Sequence, residues 1–321
     1  MTMKKQNVFI GVAWPYVNGD LHVGHVAGYL LPADIVARFQ RLIGNSVLMV
    51  SGSDCFGTPI TVEADKEKVT ASEIIEKYHA RNVELFKNLG LTFDLYTKTD
   101  TPNHKKITQD FLLKFFEKGY LDFGDQQQYF SDSLGKFLPD RYVEGVCPYC
   151  GFDPARSDQC DNCGKLLDQN LKNPVSKIDQ KPVSLKATKH IFISWDKLQD
   201  KIKNYVDEKS PQWRSWVKGE TYKWFTEGLR SRAVTRDLDW GVEIPQEIAK
   251  NYFHTEDISN KRIYVWFDAV IGYYSASIEW AEKNNGDWEE FWKNPDAKHY
   301  YFMGKDNLVF HTIFWPGQLL V

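Results

Sequence analysis

Two histidines three residues apart enclose a glycine in Asn18-Gly19-Asp20-Leu21-His22-Val23-Gly24-His25. Residues 8–14 ahead of them form an apolar run that reads as a buried strand. Residues 26–43 behind them read as a helix. The imidazoles therefore sit where a strand hands over to a helix. A helix start offers free N–H donors and the positive end of a dipole, which suits phosphate. Gly24 removes side-chain bulk where a nucleotide must come close. His22 and His25 can donate to phosphate oxygens as negative charge builds there. A helix cap or a packed pair is the plainer use of two such rings.

Four cysteines carry a second chemistry, as Cys147-Pro148-Tyr149-Cys150 and Cys160-Asp161-Asn162-Cys163. Each pair can form a tight turn that aims two thiolates at one ion. Four thiolates satisfy tetrahedral Zn²⁺ and leave no open position, so the site reads as structural. Two redox pairs are the alternative, but nothing around them resembles a thioredoxin active site. The fifth cysteine, Cys55, reads as a small buried side chain.

These groups need a frame to hold them. The chain has 321 residues, 42% of them hydrophobic, enough for a real core. The net charge of −3 gives no global basic field for nucleic acid. Tracts rich in lysine, 181–189 and 197–203, read as solvated faces or as contacts to an anionic partner. The first six residues carry too short a charged region, and too early a strand, for a signal peptide. No apolar run approaches the ~20 residues needed to span a bilayer, which points to a cytoplasmic protein with no membrane partner.

Residues 47–51 read as a second strand after the one at 7–14, and 71–89 as an amphipathic helix. Ile74, Ile75, Tyr78, Val83 and Phe86 fall near one face of that helix. Pro32 predicts a kink in the helix at 26–43. Alternating strands and helices predict a Rossmann-type, doubly wound parallel sheet in an α/β protein. Ligands on such a sheet bind beyond the carboxyl ends of its strands. His22 to His25 and Gly52-Ser53-Asp54 should meet there.

Past Gly119 the pattern breaks into short strands, turns and the cysteines. The polar tract 168–189 reads as a connector. Residues 197–206 and 211–229 look helical. Parallel-sheet strands are predicted again at 262–267 and 299–303. The expected organisation is a first Rossmann half at 1–118, an inserted connective domain at 119–240 with its zinc knuckle near 145–165, and a second Rossmann half at 241–321.

His22-Val23-Gly24-His25, preceded by Ala13-Trp14-Pro15-Tyr16-Val17-Asn18-Gly19, resembles the HIGH signature of class I aminoacyl-tRNA synthetases, and of the methionyl-tRNA synthetases in particular. The resemblance takes in residues 52–60, 135–141, the four cysteines, 235–241, 264–269 and 304–307, and ends with His311 and Trp315-Pro316. Two departures stand out. The family's usual Asp-Glu-His-Gly is here Asp54-Cys55-Phe56-Gly57, and Val270 stands where many members have proline. By resemblance, residue 321 precedes the family's lysine loop and anticodon-binding domain.

The resemblance implies a methionine–tRNA ligase. Methionine attacks the α-phosphate of ATP, carried with Mg²⁺, and the methionyl group passes from the adenylate to tRNA(Met). It implies that His22, Gly24 and His25 serve the phosphates, with Gly304 and Asp306 on the ribose. It implies a methionine pocket of Ala13, Trp14, Tyr16, Trp266, Ala269, Tyr273 and His311, with Asp54 on the ammonium. Thioether sulfur favours such aromatic edges. A fragment that only binds a nucleotide or a partner is the alternative. A ligase for cysteine is a third reading, disfavoured because a four-cysteine site leaves its metal no vacant position.

Overall fold

The computed structural model describes residues 5–139, 142–157, 160, 162, 163, 167, 170–253 and 258–321. Asp140 and Arg141 of the tract 135–141, Asp161 of the second cysteine pair, and Asp168 and Gln169 of the polar tract lie outside the described residues.

A four-stranded parallel sheet forms the frame, in the order Lys298–Phe302, Asn7–Val12, Ser46–Ser53, Leu95–Lys98. The strand Asn7–Val12 lies between two neighbours, with Phe9 beside Leu48 on one side and His299 on the other. Val8, Phe9, Ile10 and Val12 are fully buried. That burial on both faces explains a continuous apolar run rather than an alternating one. The expectation of an α/β parallel sheet is met.

The helix Ala71–Leu89 is bounded by its own chemistry. Thr70 and Glu73 form a reciprocal capping box, and Gly90 closes the last turn at φ 67°. Its buried face differs from expectation at one place. Val83 is 45% exposed, and Asn82 is buried instead, donating to the Tyr96 hydroxyl at 3.2 Å.

The helix after the histidines is continuous but contains a wide π turn, Val26–Leu30, before Leu31–Leu42. Pro32 sits in the first turn of the second part. A second π turn, Phe310–Phe314, precedes Pro316 in the same way. A proline ring collides with the carbonyl four residues back, and a widened turn makes room for it. The kink expected at Pro32 takes this form.

Three further sheets are antiparallel. One runs Arg232–Ala233, Ser184–Ile193, Leu121–Ser131, Lys136–Phe137. A second runs Thr235–Asp237, Lys261–Ile263, Val242–Glu243, and a third Ala155–Arg156, Val143–Val146, Lys172–Ser176. Two expectations fail here. The tract at 168–189 is no connector, because Lys172–Ser176 and the start of Ser184–Ile193 lie in it. The second of these pairs along ten residues of Leu121–Ser131 and leaves part of one face in water, which hides its apolar pattern. The run at 262–267 is no parallel strand. Lys261–Ile263 is antiparallel, and the helix Val265–Asn284 begins two residues later. Trp266 therefore projects from the first turn of a helix.

Candidate active site

The histidines cap their own helix. Gly24 N–H donates to His22 Nδ1 at 3.0 Å, and His22 N–H donates to His25 Nδ1 at 3.2 Å. The ring centroids are 4.0 Å apart. Both Nδ1 atoms are thereby acceptors, so each neutral ring carries its proton on Nε2. Burial, and then His22, lower the pKa of His25 and favour that neutral form. A Cβ on Gly24 would lie 2.8 Å from the His22 ring, so the glycine also makes room for this cap.

Asp54 follows the strand Ser46–Ser53 at its carboxyl end. It is 3% exposed and pairs with Tyr16 in a single parallel bridge. The Phe56 N–H donates to its Oδ1 at 3.3 Å. Burial first, and the nearby Asp268 second, push its carboxyl well above the usual range. Asp268 is itself fully buried and raised by burial. Its Oδ2 is 3.4 Å from His104 Nε2, while its Oδ1 is buried with no hydrogen-bond partner among the described residues. His104 is held down to about 3 by burial. Reading the sequence missed Asp268 and His104. Asp268 lies inside the stretch 264–269 that carries the family resemblance, whereas nothing local in the sequence marks His104.

Trp14 and Tyr16 pack where only glycine permits. A Cβ on Gly52 would fall 2.1 Å from the Trp14 ring, and one on Gly272 would fall 2.7 Å from it. A Cβ on Gly57 would fall 2.2 Å from the Tyr16 ring. Trp14 thus lies between the parallel sheet and the helix Val265–Asn284. Its indole Nε1 is buried with no partner among the described residues. Ala13 continues the sheet by donating to the Phe302 carbonyl at 2.8 Å.

Tyr273, one residue past Gly272, is 1% exposed, and its hydroxyl lies 2.8 Å from His311 Nε2. His311 Nδ1 lies 2.8 Å from the Asn307 carbonyl and must donate to it, so the tyrosine donates to Nε2. Asn307 closes the short turn Lys305–Asn307 that carries Asp306, and Gly304 precedes it. His311 is thus tied both to Tyr273 and to that turn. Ala269 is half-buried in the helix. Trp266 is 43% exposed and faces Phe310, at 5.5 Å between rings, rather than Tyr273. Of the expected pocket residues, Trp14, Tyr16, Asp54, Tyr273 and His311 are gathered at the sheet's carboxyl edge.

His311 gives a measurable titration. Burial lowers it to about 4 in the folded chain, against about 6.5 unfolded. Its contribution to stability is therefore complete above pH 6.5 and is lost as the pH falls toward 4. The raised carboxyls of Asp54 and Asp268 act in the opposite sense, so the quantity to measure is a difference. The stability gap between the parent and His311→Gln, from urea midpoints, is expected to close by up to about 1.4 kcal/mol per pH unit below 6.5. A gap independent of pH would refute the buried neutral ring.

Cys147, Cys150, Cys160 and Cys163 come together as expected, with their sulfurs all within 4.8 Å of one another. Cys150 and Cys160 are 3.7 Å apart, and Cys147 and Cys163 are 4.0 Å apart. Tetrahedral Zn²⁺ with bonds near 2.3 Å sets its sulfurs roughly 3.8 Å apart, so the donor set fits that ion. A disulfide would need about 2 Å. The Phe152 N–H, and then Asn162, hold Cys150 down to about 6, toward the thiolate a metal requires. Cys55 is buried, as expected.

The comparisons with known proteins agree with this geometry. A family model described as tRNA synthetases class I (M) matches residues 8–321. A methionine–tRNA ligase of Roseiflexus sp. (strain RS-1) is 50% identical over 323 residues, covering 98% of this chain and 53% of that protein. One from Cutibacterium acnes is 49% identical over 317 residues, covering 98% and 51%. Among solved structures, Mycobacterium tuberculosis methionyl-tRNA synthetase in complex with methionyl-adenylate superposes with a TM-score of 0.70. It is 21% identical and is covered to 54%, against 98% of this chain. The chain spans about half the length of the curated relatives it matches. Among the described residues no helix is long and apolar enough to cross a membrane.

Proposed function

This chain belongs to the class I tRNA synthetases of the methionine type, and from that premise we propose that it is the part of a methionine–tRNA ligase that activates methionine. The substrates are methionine and ATP with Mg²⁺, the product is methionyl-adenylate, and the acceptor is tRNA(Met). One observation carries the reading: the buried carboxyl of Asp54 follows Gly52, on which the Trp14 ring packs, and its backbone bridges to Tyr16, which complements a ligand with a cationic head and an apolar tail. Its raised pKa falls when an ammonium arrives, so the ligand meets a carboxylate.

In this reading Ala13, Trp14, Tyr16, Ala269, Tyr273 and His311 surround the thioether, and Trp266 closes the rim. The Nε2–H donors of His22 and His25 serve the α-phosphate as it takes on charge, and Gly24 keeps the approach open. Reaction at phosphorus asks for aligned reactants more than for a strong base. Gly304 and Asp306 hold the ribose on the turn that His311 anchors. The four cysteines hold structural Zn²⁺, which shapes the inserted module and takes no part in the reaction. The reading places the protein in the cytoplasm.

Calorimetric titration tests it. Methionine is expected to bind saturably. Norvaline, whose unbranched side chain is one group shorter, should bind roughly 10- to 200-fold more weakly, because a hydrophobic pocket discriminates by about 1–3 kcal/mol per methylene. Methionine-dependent ATP–pyrophosphate exchange is the matching readout of the reaction. Preference for cysteine or leucine in either assay would overturn the assignment.

A further inference from the structure

Asp268 and His104 form a buried pair that the proposed reaction leaves unused. Asp268 stands in the first turn of the helix Val265–Asn284, one turn ahead of Gly272, on which Trp14 packs. His104 comes from the helix Pro102–Glu117, and its ring centroid lies 6.3 Å from that of Trp14. Asp268 is 0% exposed and His104 1%. Both therefore stand beside the tryptophan of the candidate pocket, away from water.

The hydrogen bonds place the protons. The Ser275 hydroxyl has one proton and donates it to the Gly272 carbonyl at 3.2 Å. Its oxygen then accepts from His104 Nδ1, 2.8 Å away. Burial keeps that ring neutral; Glu279 and Asp100 favour its cation and Lys105 opposes it, each more weakly than burial. A neutral imidazole with its proton on Nδ1 has a bare Nε2. This nitrogen lies 3.4 Å from Asp268 Oδ2, and its other neighbour, Thr108 Oγ1 at 3.3 Å, carries no charge. A carboxylate at Asp268 would set two lone pairs against each other, whereas a protonated carboxyl donates. The second oxygen agrees. Oδ1 has no hydrogen-bond partner among the described residues, which is far costlier for a buried anion than for the carbonyl oxygen of a neutral acid. Burial disfavours the Asp268 anion first, and its own backbone N–H offsets only part of this.

We infer that Asp268 is a positioning residue of the methionine site: it stays a neutral acid donating to His104, so that the one negative charge the two carboxyls can hold falls on Asp54, where the ammonium arrives. Two buried carboxyls that sense each other do not both ionise. His104 gives Asp268 an acceptor for its proton, while the Phe56 N–H gives Asp54 a donor for its charge. When methionine binds, Asp54 releases its proton to solvent and Asp268 keeps its own. The inference rests on the reading of Asp54 as the ammonium anchor, and it names the group that leaves the charge there.

Infrared difference spectroscopy of the intact chain tests it, with and without saturating methionine at about pH 7.5, where exposed carboxyls are ionised. Methionine is expected to remove one neutral-acid C=O band and leave another. Asp54→Asn should lack the first band, and Asp268→Asn the one that persists. Calorimetric titration supplies the second readout. Asp268→Ala strands the His104 nitrogen and should weaken methionine at least about tenfold. Asp268→Asn, whose amide donates to the same nitrogen, should recover most of that loss. Circular dichroism confirms that each variant is folded, and if neither folds the spectrum of the methionine-bound parent decides alone. A methionine-bound parent without a neutral-acid band, a band that survives Asp268→Asn, or a folded Asp268→Asn as weak as Asp268→Ala would overturn the inference. If methionine binds and these results fail, only this inference falls; if methionine does not bind, the ligase reading falls on its own evidence.

Discussion

Replacing Cys160 with serine is expected to strip the metal from the chain and unfold the module around it. Metal analysis of the parent should find about one zinc per molecule, and the variant should hold almost none. The effect is large because so little else holds this region. Its core is a small cluster that includes Tyr129, Leu138, Tyr142 and Val143, and two of the cysteines, Cys147 and Cys160, belong to it. Structural Zn²⁺ in such modules contributes on the order of 10–16 kcal/mol, far more than a few buried side chains. A serine hydroxyl stays protonated at neutral pH and cannot replace the thiolate. Limited proteolysis should then cut within residues 143–176 while the parallel sheet resists. A metal-free chain with that region still protected would end the assignment.

Asp54→Ala is expected to raise the methionine requirement by roughly thirtyfold or more while changing the ATP requirement only a few-fold. Losing one partner of a buried charge pair costs about 2–5 kcal/mol, which corresponds to this range. The split between substrates separates an anchor from a structural carboxyl. An anchor weakens the ligand it touches, whereas a damaged pocket weakens both. The protonated resting carboxyl gives a second signature. Because burial and Asp268 hold Asp54 well above the ordinary range, ammonium binding should release a proton. The heat of methionine binding should then depend on the ionisation enthalpy of the buffer in the parent and not in Asp54→Asn. Equal losses for methionine and ATP would count against the anchor.

Much of the frame was legible because its elements declare themselves locally. Asn7–Val12 is a strand buried on both faces, and Ala71–Leu89 has both caps written beside it. The four cysteines specified their own convergence. Elements whose form depends on distant partners were not legible. Ser184–Ile193 mixes lysines with apolar residues and becomes a strand through pairing with Leu121–Ser131. The run at 262–267 is too short for its periodicity to separate strand from helix, and it contains the end of one and the start of the other. In the site, the sequence marked residues beside turns and strand ends, such as Asp54 and His22. It did not mark the Asp268–His104 pair, which meets across 164 residues of chain. Nor did it mark Gly272, whose need for no side chain comes from a tryptophan far away in sequence.

The strand Asn7–Val12 takes one of its two neighbours from the far end of the chain, with Val8 beside Lys298. On the ribosome, translation at about 5–20 residues per second separates these partners by roughly 15–60 s. For that interval the strand Asn7–Val12 has one bare edge. A nascent chain stalled short of Lys298 would carry this strand, apolar from Val8 to Val12, unpaired on one edge and open to a second copy from the same polysome or to a chaperone.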